Sequence, residues 1–295
     1  SFIQGLFKTV PAVNKFYREA IYWRNEFFGK AFVGGEMINS IGSKMSMRHL
    51  KRQVHNPDIR KKLTPNYKMG CKRVLVSNDY YPTFNRANVH LETTPIQEWN
   101  ANGIVTTDGK EHPFDAIVLA TGFVAADIEL YTTITGLNNR DLLSEWRQKG
   151  AEAYRGTTVS GYPNLAFMLG PNTGLGHNSM VYMIESQIHY ILGALNLLNN
   201  RQLASLEPKR EAQDAFNGKI QNSLGKTVWN AGGCNSWYLH PVSGRNCTVW
   251  PGFTWRYRLL TRNFDPAAYH FSRLSPAHPA QKFAIASQTI TEVSA

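Results

Sequence analysis

No stretch of this sequence reaches the roughly 18–20 uninterrupted apolar residues that a helix needs to cross a membrane. The longest candidate, residues 180–198, is broken by Glu185, Gln187, His189 and Asn196, so no membrane span is expected. Cysteine is scarce. Cys71, Cys234 and Cys247 are the whole set, and none forms a CxxC pair. An odd count argues against a disulfide scaffold and favours structural thiols in a reducing, cytoplasmic setting. HExxH, GxSxG, Walker and paired-cysteine motifs are missing, and the nine histidines show no ligand spacing, so no metal site is expected. Internal repeats and low-complexity linkers are missing too. The chain opens at Ser1 without a methionine or a signal-peptide pattern, which raises the expectation of a piece of something longer.

Acidic residues are also in short supply, 21 against 32 Lys and Arg, for a net charge of +11. Between Lys8 and Arg73 there are fifteen basic residues and four acidic ones, which is the entire surplus. Such a segment suits a polyanion or a phosphate-bearing cofactor, and a solvated helical face explains it equally. Zinc-finger spacing, RNP-like aromatics and heptads are absent, which disfavours nucleic acid. What the chain does have is apolar material. Hydrophobic residues make up 42% and charged residues 18%, enough for a core and too much for a disordered chain. At about 100–200 residues per domain, its 295 residues make one or two domains.

Hydrophobic spacing predicts a helix over 8–35, with Val10, Val13, Phe16, Tyr17, Ala20, Ile21, Trp23, Phe27 and Phe28 on one wide face. A second basic helix follows over 38–54, and Pro57 and Pro65 bound a short turn. The texture then changes. RVLVS at 73–77 and NVHLE at 88–92 read as strands. Residues 104–107, Asp108-Gly109 and 112–119 read as a hairpin, and its apolar second arm ends in Ala120-Thr121-Gly122. Residues 165–169 read as a further buried strand, followed by a glycine-rich loop and helices over 179–199 and 208–223. The tail from Trp229 to Phe271 reads as loops and short strands, and the last twenty residues are weakly patterned.

Four constellations carry possible chemistry. Gly174-Leu175-Gly176-His177-Asn178-Ser179 approaches GxGxxG with serine last. It serves equally as a ligand loop or as a tight loop before a helix, since no acidic residue ends a strand about 20 residues on. Thr121-Gly122 permits close approach of a flat or phosphate-bearing ligand, or simply turns the chain. Lys72 and Arg73 alternate sides if they lie in a strand. Trp229, Trp237, Trp250 and Trp255 with Arg245, Arg256 and Arg258 suit stacking on a planar ligand, and suit core packing as well.

The joint order of these pieces is more specific than any one of them. MGCKRVLVSNDYYPTFNRANVHLE, then TTDGKEHPFDAIVLATGF, then GYPNLAFMLGPNTGLGHNSMVYMIESQIHYI, and late NSWYLHPVSGRNCTVWPGFTWRYR resemble the C-terminal half of Baeyer–Villiger and related flavin-containing monooxygenases, from about Phe2 to Phe271. The resemblance implies FAD, NADPH, a C4a-peroxyflavin and transfer of one oxygen atom from O₂ to a small ketone or soft heteroatom. It implies that Arg73 sits by the flavin as a permanently charged, catalytic donor. Lys72 would recognise the 2′-phosphate of NADPH. Thr121 and Gly122 would form a crossing between nucleotide domains, and Asn172, Asn178, Ser179 and Met180 would cover the isoalloxazine ring. Trp237 would line the nicotinamide or substrate pocket.

The fold implied is α/β: an incomplete FAD/NAD(P)-binding fold of two dinucleotide-binding domains with a helical insertion at its N-terminus. Residues 1–68 would be the insertion, 69–126 the remainder of the NADPH domain, and 127–295 the C-terminal part of the FAD domain. The family's two glycine-rich loops and the fingerprint between them are absent. A missing N-terminal half is therefore the expected partner, and exposed sheet edges are expected without it. The alternatives are N- or S-oxygenation, a non-catalytic remnant, or a basic nucleic-acid-binding module.

Overall fold

The computed structural model describes residue 7 and residues 9–122 and 133–273. The expected helix start at Lys8, the proposed boundary at 126/127 and the weakly patterned end of the chain lie outside these residues.

Helix α1 (Pro11–Gly29) starts on a proline, whose missing N–H costs nothing in a first turn. Its interior departs from the sequence reading. The expected apolar face does not go inward: Phe16, Trp23, Phe27 and Phe28 are exposed, and the buried residues are Glu26 and Gly29. Helix α2 (Glu36–Gln53) carries Glu36 in its first turn and Lys51 and Arg52 in its last, each favourable to the helix dipole. Helix α3 (Pro57–Leu63) is capped by the Asn56 side chain, which accepts from the backbone N–H groups of Asp58 and Ile59. A single turn, α4, spans Tyr80–Thr83.

Strands β1 (Ile96–Asn100), β2 (Gly103–Thr106) and β3 (Glu111–Pro113) form an antiparallel sheet in that order. The Asp108-Gly109 turn joins β2 to β3, as its sequence requires, with Gly109 at φ +82°. The second arm, however, stops at Pro113, and β1 was not foreseen. Residues 73–77, 88–92 and 165–169 form no strand either; Ala166 makes a lone bridge to Thr158. For 73–77 and the lost end of the second arm the physical reason is the lack of neighbours. Val74–Val76 and Ile117–Leu119 make no backbone hydrogen bond among the described residues, and Val76 and Val118 are 96% and 87% exposed. A β-branched run becomes a strand only when another strand satisfies its amides.

The remainder packs well. Helix α5 (Leu142–Lys149), capped by Asp141, buries Leu142, Leu143 and Trp146. Helix α6 (Met180–Asn200) buries Met183, Gln187, Tyr190 and Ala194. Strand β4 (Leu203–Pro208) pairs antiparallel with β5 (Tyr269–Arg273). Between them come α7 (Arg210–Leu224), the short α8 (Val228–Ala231) and α9 (Thr254–Thr261). The tail was read as loops and short strands, so α9 is a correction; eight residues dense in aromatics and arginine hide its period. Three cores result. The first gathers Cys71, Leu175, Met183, Leu224, Trp229, Tyr238, Val249 and Tyr257. The second centres on Leu142, Trp146, Val159 and Tyr162. The third joins Tyr154, Tyr190, Leu206 and Tyr269.

Two cysteines also depart from expectation. Cys71 and Cys234 form a disulfide across 163 residues of sequence. An odd count leaves one thiol over but does not forbid a bond, and so distant a pairing has no local signature. Cys247 is the free, buried thiol expected of a structural cysteine; burial pushes its pKa up to about 11.

Candidate functional site

The disulfide decides where several site candidates lie. Lys72 and Arg73 follow Cys71 directly, and Trp237 lies three residues after Cys234. The Cα atoms of the two cysteines are 6.1 Å apart, and the Lys68 N–H donates to Gly232 O at 2.9 Å. The two segments therefore leave one anchored point. Both cations are exposed. The Lys72 ammonium lies 5.2 Å from the Tyr67 ring centroid. Arg73 has no carboxylate or hydrogen-bond partner among the described residues. Trp237 is partly exposed and packs on Tyr238.

The glycine-rich loop meets the same core. Leu175 and Met180 pack into the cluster that holds Cys71, Trp229 and Tyr238. Gly174 exchanges backbone bonds with the 248–250 segment: its N–H donates to Thr248 O and its carbonyl accepts from Trp250 N–H, both at 2.8 Å. Asn172, at φ +56°, is buried, and its amide donates to Asn246 O at 2.7 Å and Val249 O at 3.2 Å. Its side chain is thus engaged within the fold, and asparagine tolerates the left-handed backbone there. Ser179 stands at the start of α6 without a side-chain cap; its N–H donates to Asn178 Oδ1 at 2.9 Å. Thr121 and Gly122 (φ +92°) are exposed with nothing packed on the glycine. No described contact brings them to the other candidates.

The structure adds a residue that sequence reading missed. Glu26, on α1, is 3% exposed, and His177 beside it is 1% exposed by side chain. Oε1 of Glu26 accepts from Asn178 Nδ2 at 2.6 Å and from Thr254 Oγ1 at 2.7 Å, while Oε2 accepts from the Thr254 N–H at 3.1 Å. His177 Nε2 lies 3.4 Å from Oε1, outside hydrogen-bond geometry, and neither ring nitrogen has a hydrogen-bond partner. Burial raises the pKa of Glu26, but His177, Thr254 and Asn178 outweigh it, and the carboxyl is held below its ordinary range. A glutamate in an aromatic helix carries no signal of this in sequence, because its partners lie about 150 and 230 residues away.

This architecture is a partial FAD/NADP-binding fold. A steroid monooxygenase bound to NADP superposes with a TM-score of 0.69 at 28% identity, covering 81% of this chain and 46% of that one. Cyclohexanone monooxygenase from Rhodococcus sp. Phi1, bound to NADP+, gives 0.69 at 25%, covering 83% and 47%. No protein-family model matches. Among curated proteins, a Baeyer–Villiger monooxygenase of Pseudomonas aeruginosa is 50% identical over 90% of this chain and 50% of its own length. Another, from Streptomyces coelicolor, is 39% identical over 95% of this chain and 54% of its own length. Along nearly all of its own length the chain is similar to Baeyer–Villiger monooxygenases, and it spans about half the length of the curated relatives it matches.

Proposed function

We propose that the chain works as one half of an FAD- and NADPH-dependent Baeyer–Villiger monooxygenase. The overall reaction turns a ketone, O₂, NADPH and a proton into an ester or lactone, NADP+ and water. The observation that carries this reading is the convergence of three candidate segments, 72–73, 172–180 and 237, on the core around the Cys71–Cys234 disulfide. Bound flavin supplies the redox chemistry that activates O₂. The chain's own residues supply charge and shape. Arg73, exposed and without a carboxylate, is free to offer a permanent positive charge to an anionic cofactor, and that fits FAD better than it fits a structural role. Lys72 meets the 2′-phosphate of NADPH as a point charge. Asn172 holds the loop through its two carbonyl contacts, and Asn178, Ser179 and Met180 shape its surface over the flavin. Trp237 bounds the substrate pocket, and Thr121 and Gly122 form the crossing between nucleotide domains. Residues 1–68, 69–126 and 127–295 divide as insertion, NADPH-domain remainder and FAD-domain part.

The partner in this reading is the half of the relatives' length that the chain does not span. The unpaired runs 74–76 and 117–119 are where its strands would add. The test is co-expression with the N-terminal half of the Pseudomonas relative. Flavin bands should travel with the complex through gel filtration, and NADPH oxidation should yield ester from a cyclic ketone. A heteroatom product in place of the ester would move the reading to N- or S-oxygenation. A soluble complex without flavin would overturn it.

A further inference from the structure

The wide apolar face read in α1 is largely exposed. Instead the helix turns one polar line to the rest of the molecule, and that line is built. Tyr22, Glu26 and Gly29 stand at i, i+4 and i+7, on one face. Tyr22 Oη lies 2.9 Å from Thr254 Oγ1. Glu26 then takes three hydrogen bonds from two other elements, the loop before α6 and the start of α9. At Gly29 a side chain would not fit, because a Cβ there would stand 2.6 Å from His177 Cδ2. Phe32 stacks on both His177 and Trp229.

A buried carboxylate is costly unless donors surround it. Here each donor comes from an element whose placement matters elsewhere. The Thr254 N–H belongs to the first turn of α9, where backbone N–H groups lack helical partners and the helix dipole favours an anion. Glu26 therefore caps α9 from another helix. The Asn178 amide belongs to the loop that sets the start of α6, and the other end of that amide, Oδ1, holds the Ser179 N–H. One carboxylate thus fixes Asn178 in a rotamer that orders the last loop residue before the helix.

We propose that Glu26 is a positioning residue: through Asn178 it holds the 174–179 loop and the start of α6 in the conformation that faces the flavin. The placement of the flavin rests on the function proposed above; the hold on the loop does not. His177 completes the clasp as the buried ring beside the carboxylate, and Tyr22 orients the Thr254 hydroxyl that Glu26 accepts from. The carboxylate itself touches no reacting atom. Its effect is to leave the loop one shape.

The experiment uses the full chain. Hydrogen exchange is compared for wild type, Glu26→Gln and Asn178→Ala, and FAD is titrated into each while the visible difference spectrum is recorded. Glu26→Gln keeps the volume but turns an N–H donor toward the Thr254 N–H or the Asn178 amide. Losing a charge-assisted bond predicts at least roughly tenfold faster exchange at 176–182 and 254–258, with the 96–113 hairpin unchanged. Asn178→Ala should free 176–182 alone, and it decides the matter if Glu26→Gln does not fold. Unchanged exchange at 176–182 in the variant that folds overturns the proposal. If wild type binds FAD, a changed flavin band shape in Glu26→Gln supports the link to the cofactor, and an unchanged band with a loosened loop removes that link. If wild type binds no FAD by itself, the flavin arm is run on the complex with the N-terminal half of the Pseudomonas relative, and the exchange data decide the positioning role.

Discussion

Residues 142–273 and residues 73–122 have similar proportions of apolar residues, yet they end in opposite states. The first region closes three cores and buries Trp229, Tyr190, Tyr257 and Leu224 to within about 1% of full burial. Its buried polar groups are mostly paired: Gln187 reaches Gly156 O and Leu169 N–H, and Asn246 binds Asn230 and two backbone N–H groups. The second region holds Val74, Leu75, Val76, Ile117, Val118 and Leu119 largely in the open, on backbone without sheet partners. Composition is not what separates them. The difference is whether the partner for each apolar face lies within the chain. An apolar patch of that kind marks an interaction surface.

The comparison is broken most forcefully by truncation. Trp229→Ala, in the stack with Phe32, should cost about 3–5 kcal/mol in denaturant unfolding. Val118→Ser, at 87% exposure, should change stability by less than about 0.5 kcal/mol. Equal losses at the two sites would show that 117–119 is buried after all. Next in size is the tie just before the open region, which joins it to the packed one. Cys71→Ser opens a loop of 163 residues and should cost about 2–5 kcal/mol, with one free thiol in wild type and two in the variant as the direct readout.

A smaller effect concerns acid. The folded-state pKa of Glu26 lies below its ordinary value. Its stabilisation is therefore complete above the unfolded pKa, about 4.3, and is lost as pH falls through the folded value. Wild type should lose stability on acidification below about pH 4.3 more steeply than Glu26→Gln. Parallel curves would refute the buried, charged Glu26. The smallest effect is on cofactor choice. In the reconstituted enzyme, Lys72→Ala should weaken the preference for NADPH over NADH by about 1.5–3 kcal/mol, measured as the ratio of kcat/KM values.

How much of this was legible in the sequence follows the same division. The helices α2, α6 and α7 and the Asp108-Gly109 turn were read correctly, because period and turn chemistry are local signals, whereas α3 was read only as a turn and the second hairpin arm was read too long. The strand at 73–77 was misread because its β-branched composition is real but a strand also needs a neighbour; at 165–169 the chain makes only the Ala166 bridge and turns left-handed at Leu169. The apolar stripe of α1 misled for a related reason, since periodicity reports a face without saying which body will cover it. Lys72, Arg73 and Asn178 were singled out through the order of motifs, and their roles stand as proposals. Glu26, the Cys71–Cys234 bond and α9 were not, since each depends on contacts far apart in sequence or on a segment too short to show its period.

The central claim is that the open face of 73–122 is half a sheet awaiting its other half. Amide exchange at 73–77 and 114–119, measured with and without the N-terminal half of the Pseudomonas relative, tests it most directly. The account predicts rapid exchange in the chain alone and strong protection of both runs in the complex. Protection already present in the chain alone, or rapid exchange that persists in a stable complex, would contradict it.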